Sequence, residues 1–160
     1  MSQSEQQIGD VRAAFTAFVD DVEPRLRRAL AAGYGLEAGR DAAADALAYA
    51  WEHWDRIKAM DNPGGYIYRV GQTKARKALR WRSGFATAND NTMPWVEPGL
   101  IDALSSLTRR QRVAVILVHG FGMTHRETAE LTGLSRSTIQ NHVERGLTKL
   151  QIALGGTNDD

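Results

Sequence analysis

Apolar positions recur every three or four residues along most of the chain, and nowhere do they alternate as in a half-buried strand. Ile8, Val11, Phe15, Phe18, Val19, Val22, Leu26 and Leu30 draw a stripe down one side of a long helix. Pro24 is expected to kink or split it, because proline lacks a backbone donor and crowds the preceding turn. Gly33, Gly35 and Gly39 then punctuate a turn. A second helix is predicted over 41–54, with Ala43, Leu47, Trp51 and Trp54 on one face and the alanines at 42–44 as an alternative close-packing surface. Asn62-Pro63 restarts the chain, with Pro63 at the first position of a third helix. That helix runs through Tyr66, Ile67 and Val70 and ends near Ser83-Gly84. Residues 84–98, GFATANDNTMPWVEP, break the periodicity and read as a linker. Beyond them, Leu100, Ile101, Leu104 and Leu107 form a short apolar face, and 113–118 form the core of another helix closed by Gly120 and Gly122. The reading is all-α: two small helical domains, 1–83 and 99–155, joined by a flexible linker and followed by a tail, 156–160.

The sharpest local signal lies between Thr124 and Leu150. Thr124-His125-Arg126-Glu127 has the form of a capping box, in which the threonine side chain and the glutamate side chain satisfy each other's backbone donors. Thr132-Gly133-Leu134 supplies a glycine turn, and Ser135 is placed to cap the next helix. Ile139, Val143, Leu147 and Leu150 then line one face, while Arg136, Ser137, Gln140, Asn141 and Arg145 occupy the other. Two helices around a short glycine turn, the second with a polar outer face, form a helix-turn-helix. The residue types suit the major groove: Arg pairs with guanine O6 and N7, and Gln and Asn pair with adenine N6 and N7. Ser137 and Thr138 are placed to donate to phosphates near the helix N-terminus.

The net charge of +1 conceals an uneven distribution. Residues 1–61 carry 7 Lys/Arg against 11 Asp/Glu, residues 62–89 carry 6 against none, and residues 90–160 carry 7 against 8. The middle segment interleaves Arg69, Lys74, Arg76, Lys77, Arg80 and Arg82 with Tyr66, Tyr68 and Trp81, a pattern that suits a polyanion and stacked bases, although a basic helix is also compatible with simple solvation and Tyr66 and Ile67 read as core rather than contact. With 160 residues there is room for one ordinary domain or two small ones. Cysteine is absent, so no disulfide, thiolate metal site or cysteine nucleophile is possible. His53, His119, His125 and His142 show no metal spacing, and no phosphate-binding glycine loop or acid/base carboxylate pair appears. No enzyme and no cofactor are expected. The polar N-terminus and short apolar runs argue for a cytoplasmic protein without membrane insertion.

Taken together, the order of these motifs resembles the extracytoplasmic-function (ECF) sigma factors, whose helical region 2 and helix-turn-helix region 4 are joined by a linker. LIDALSSLTRRQRVAVIL resembles the opening of region 4, with Thr108 where proline is usual. Glu127 to Leu131, Ser137-Thr138-Ile139 and Arg145-Gly146 resemble its later segments. DAAADALAYAW, from Asp41, resembles the region 2 helix that docks on the polymerase clamp, with Ala44 where glutamine is usual. Asn62 to Val70 and Arg80-Trp81-Arg82 resemble the parts that meet the minus-10 element, with Thr73 and Lys77 in place of asparagine and aspartate. Gln140 and His142 stand where basic residues are frequent.

The resemblance implies a promoter-recognition subunit that binds core RNA polymerase and promoter DNA, both duplex and melted strand, and that is open to control by an anti-sigma factor. Carried over by position, Asp41, Leu47 and Trp51 contact the polymerase, and Asn62, Arg69, Lys74, Arg76, Lys77, Arg80 and Trp81 serve minus-10 recognition and melting. Arg136, Ser137, Thr138, Gln140, Asn141 and Arg145 read the minus-35 duplex. The loop at 55–62 sits where the family captures an extruded base, and Met93, Pro94 and Trp95 lie on the arm that runs near the template. Residues alone leave two alternatives: a stand-alone helix-turn-helix regulator, similar in plan to the LuxR-type effector domain, and a degenerate sigma-like protein that binds polymerase or a regulator without efficient initiation.

Overall fold

A computed structural model describes residues 2–81 and 99–155, and every regular element in them is helical. Helix α1 (Gln3–Tyr34) packs on α2 (Leu36–Glu52) and α4 (Pro63–Trp81), with the single turn α3 (Trp54–Ile57) between the latter two. Pro24 does not split α1. Val22 on one side of it and Leu26 and Leu30 on the other are all buried against neighbouring helices. Burying side chains of this size contributes roughly 1.5–3 kcal/mol each, enough to outweigh one lost backbone bond. The predicted stripe fades toward the N-terminus, where Ile8 is 55% exposed.

The inward face of α2 differs from the one expected. Ala42, Ala43, Ala46 and Ala50 are buried, Leu47 sits at the margin, and Trp51 is 45% exposed, whereas Trp54, displaced onto α3, is 7% exposed. The alternative packing surface is the correct one for Ala42 and Ala43, while Ala44 faces out. Small residues win because α1 and α2 approach closely: a Cβ on Gly39 would lie 2.5 Å from the Ala31 backbone nitrogen.

The second half contains α5 (Leu100–Ser105), α6 (Arg109–Val115), one π-helical turn (Ile116–Gly120), α7 (His125–Thr132) and α8 (Arg136–Gly155). Thr108 caps α6 through a capping box with Gln111, a signal not read from the sequence. Val115 packs with Ala103, Leu107 and Leu150, and Ala114 with Ile139 and Val143.

The halves share one apolar core. Val113, Ile116, Leu117, Phe121 and Met123 join the cluster of Val22, Leu26, Ile57, Ile67 and Tyr68. The π turn makes this possible. Its wider bond, from the Phe121 N–H to the Ile116 carbonyl at 3.0 Å, swings Phe121 and Met123 onto the start of α4. There Gly64 and Gly65 leave room: a Cβ on Gly65 would collide with the Met123 sulfur, and one on Gly64 would lie 3.1 Å from the Phe121 ring. Arg25 closes the junction, donating to the Gly120 carbonyl at 3.2 Å with its guanidinium carbon 5.4 Å from the Phe121 ring centre. The predicted linker, 84–98, with Met93, Pro94 and Trp95, and the tail, 156–160, lie outside the described residues. No described helix is long and apolar enough to cross a membrane.

Candidate nucleic-acid interface

The helix-turn-helix is built as its capping residues require. Thr124 Oγ1 accepts from the Glu127 backbone N–H at 3.0 Å, and Glu127 Oε1 accepts from the Thr124 N–H at 3.2 Å. Helix α7 ends at Gly133, whose φ of 74° places it in the left-handed region that disfavours a side chain. Ser135 Oγ then accepts from the Thr138 N–H at 3.1 Å and starts α8. Ile139, Val143 and Leu150 are buried, which fixes the rotation of α8 about its axis. That rotation leaves Arg136, Ser137, Gln140, Asn141 and Arg145 exposed on the outer face, with Thr138 half-buried beside them. Gln140 donates to Glu144 at 3.1 Å, one turn on. Arg136 and Arg145, with their long side chains, and the shorter Asn141 are thus presented to solvent.

The basic helix α4 is less uniform. Lys74, Lys77 and Arg80 are exposed, and Arg69 and Arg76 are half-buried. Trp81 ends the helix, and its side chain lies outside the description. Lys74 borders a groove with Asp41 and Asp45 of α2. Arg76 Nε donates to Tyr34 Oη at 3.4 Å. Arg69 donates to Gln72 Oε1 at 2.6 Å. Burial, and then the neighbouring charges of Arg76 and Arg109, push its pKa below the ordinary arginine value. Tyr68, which the sequence pattern grouped with the exposed aromatics, is fully buried and stacks on Phe121 at 5.6 Å, so it presents no face to a base. Burial pushes its phenol well above the usual range.

Asn62 is occupied twice. Its Oδ1 accepts from the Gly65 N–H at 2.8 Å and caps α4, and its Nδ2 donates to the Phe121 carbonyl at 2.8 Å. Beside it lies a cluster that the sequence reading missed. Tyr49 stacks on His53 with ring centres 4.2 Å apart, and Arg56 donates to Tyr49 Oη at 2.9 Å and to Tyr66 Oη at 3.4 Å. Hydrogen bonding from Tyr49, then the Arg56 guanidinium, draws the Tyr66 phenol below its ordinary value. The spacing of Tyr49, His53 and Arg56, four and three residues, was the available signal; the change of helix at residue 53 hid it. On α2, Asp41, Ala44, Asp45, Ala48, Trp51 and Glu52 form the outward face, with Leu47 half-buried at its edge. Among the described residues no group of three His, Asp or Glu is placed to hold a metal ion.

Residues 99–150 match the family Sigma-70, region 4. Among solved structures, the sigma factor RpoE from Bartonella quintana, crystallised with the anti-sigma factor NepR, superposes with a TM-score of 0.71 at 22% identity, over 91% of this chain and 99% of that one. CnrH, solved in complex with the cytosolic domain of CnrY, superposes with a TM-score of 0.60 at 22% identity, over 92% and 91% of the two chains. Among curated proteins none matches the sequence. The helix-turn-helix half thus carries a sigma region 4 signature. The fold as a whole is the all-helical sigma-factor fold that the motif order led us to expect.

Proposed function

We propose that this protein is a sigma factor of the ECF type, directing core RNA polymerase to specific promoters. The observation that carries the reading is the α8 face: Arg136, Ser137, Gln140, Asn141 and Arg145 exposed together on the second helix of a capped helix-turn-helix, within the segment that matches region 4. These residues, with Thr138, read the minus-35 duplex. The outward face of α2, with Asp41, Leu47 and Trp51, docks on polymerase. Lys74, Arg76, Lys77, Arg80 and Trp81 follow the displaced strand, and Asn62 and Arg69 stand at the entrance to the minus-10 site. Tyr49, Arg56 and Tyr66 supply a stacking surface beside it. By analogy with RpoE and NepR, an anti-sigma factor is the expected regulator.

In the arrangement described, Asn62 is held by Phe121, so the minus-10 surface becomes complete only when the segment around Phe121 leaves α4. Engagement of polymerase then separates the halves. The test is transcription in vitro from a genomic fragment library with core polymerase and the purified chain. Transcripts should start downstream of a shared motif, and they should vanish without the chain or with Arg136→Ala plus Arg145→Ala. Polymerase binding without transcripts would instead indicate a sigma-like protein that does not initiate. Duplex DNA binding with no affinity for polymerase would indicate a stand-alone regulator.

A further inference from the structure

A cleft of about 510 Å³ opens where α4 meets the second half of the molecule. Arg69 comes from α4, and Arg109 and Arg110 from the start of α6. Among the described residues no carboxylate lines it. Arg69 is half-buried and Arg109 and Arg110 are exposed, so three like charges repel one another along this cleft, and an anion relieves that cost. The effect is visible at Arg69, whose pKa is lowered by burial and by Arg76 and Arg109.

The wall is also organised. Gln72, 1% exposed, donates to Tyr68 Oη at 3.1 Å and accepts from Arg69 at 2.6 Å, so a buried relay fixes where the guanidinium points. His142 also borders the cleft, and its Nε2 is buried with no hydrogen-bond partner among the described residues. The hydroxyl residues Thr108 and Thr132 complete the polar rim. The floor is apolar: Val113, Ala114 and Ile139 are buried there, and Leu134 is half-buried. A volume of this size lies in the usual range for small-molecule sites.

We propose that this cleft binds a phosphorylated small molecule with a flat apolar part, of the nucleoside polyphosphate class, with the phosphates on Arg69, Arg109 and Arg110 and the ring system on the Val113–Ile139 floor. Arginine matches phosphate oxygens bidentately. Neither phosphate alone nor an apolar compound alone uses both walls. Because the arginines come from the two halves, the bound molecule bridges them and raises the stability of the closed arrangement by mass action. Arg69 is shared with the proposed minus-10 surface, whereas Arg109 and Arg110 have no part in it, so the test turns on those two.

The test is calorimetric titration of the full chain with ATP, with tripolyphosphate and with adenosine at constant ionic strength, alongside thermal unfolding. ATP should bind saturably and raise the melting temperature. Tripolyphosphate should bind more weakly, and adenosine weaker still. Arg109→Gln with Arg110→Gln should weaken ATP binding roughly ten-fold or more, through loss of charged hydrogen bonds. Arg12→Gln with Arg40→Gln, which removes the same charge elsewhere, should leave it within about two-fold. Helical circular dichroism of each variant reports folding, and retained duplex binding through α8 reports an intact second half. Absence of saturable ATP binding, equal loss in both double variants, or tripolyphosphate binding as tightly as ATP would each overturn the proposal. So would arginine-dependent binding of duplex DNA with none of ATP.

Discussion

The two surfaces proposed to meet DNA are built on opposite plans. On α8 the interior and exterior residues are separate: Ile139, Val143 and Leu150 hold the helix, and Arg136, Gln140, Asn141 and Arg145 lie exposed, with the Gln140–Glu144 bond running along the outer face. On α4 the same stretch serves both purposes. Tyr68 is core, Arg69 is tied to Gln72, Arg76 reaches Tyr34, and Asn62 both caps the helix and holds Phe121. A surface of the first kind is always available. A surface of the second kind is conditional on what else its residues are bonded to.

The largest effect is expected at the junction between the halves. Phe121→Ala should destabilise the chain by about 3–5 kcal/mol, the usual range for removing a buried phenylalanine, in urea or thermal unfolding. A loss under about 1 kcal/mol would mean the halves do not share a core in solution. Next, Arg136→Ala with Arg145→Ala should leave stability unchanged and weaken duplex binding by roughly ten- to hundred-fold, with the salt slope reduced by up to about 2. An unchanged slope would remove both arginines from the DNA contact.

Asn62→Ala removes a helix cap and an inter-half bond, and should cost about 1–2 kcal/mol in chemical denaturation. The same change at Arg145 should cost nothing measurable, which sharpens the contrast between the two helices. Thr124→Ala should cost about 1 kcal/mol by loss of the capping box, read as a lower unfolding midpoint with the helix count preserved by circular dichroism. The smallest effect belongs to Lys77→Ala, which should change stability by less than about 0.5 kcal/mol. In single-strand binding titrations it should lower the salt slope by about 0.7.

The difference between the helices also governs what was legible in the sequence. For α8 the capping residues, the glycine turn and the buried stripe were all local, so the exposed face followed directly. For α4 the helix and its basic character were local, but the fate of Tyr68, Asn62 and Arg69 depends on Phe121 and Gln72, one of them distant in sequence. Nothing in the periodicity of 113–122 announces that one turn widens to bring Phe121 and Met123 onto Gly64 and Gly65. Likewise the inward face of α2 was set by how closely α1 approaches, which favoured Ala46 and Ala50 over Leu47 and Trp51. Pro24 was misleading for a related reason: tertiary burial on both sides of it overrode its local cost.

On the proposed function, the exposed α8 face is ready for duplex DNA, whereas the α4 surface is withheld until the halves separate. The chain has no cysteine, so a label pair is easily placed. Ala13→Cys on α1 and Gln151→Cys on α8 are both at exposed positions, outside every site proposed above. Spin-label distances between them, with and without core RNA polymerase, give the most direct measurement. The free chain should give one narrow distance distribution, and the polymerase complex a longer distance. The same distribution in a complex able to initiate transcription would show that the halves stay together.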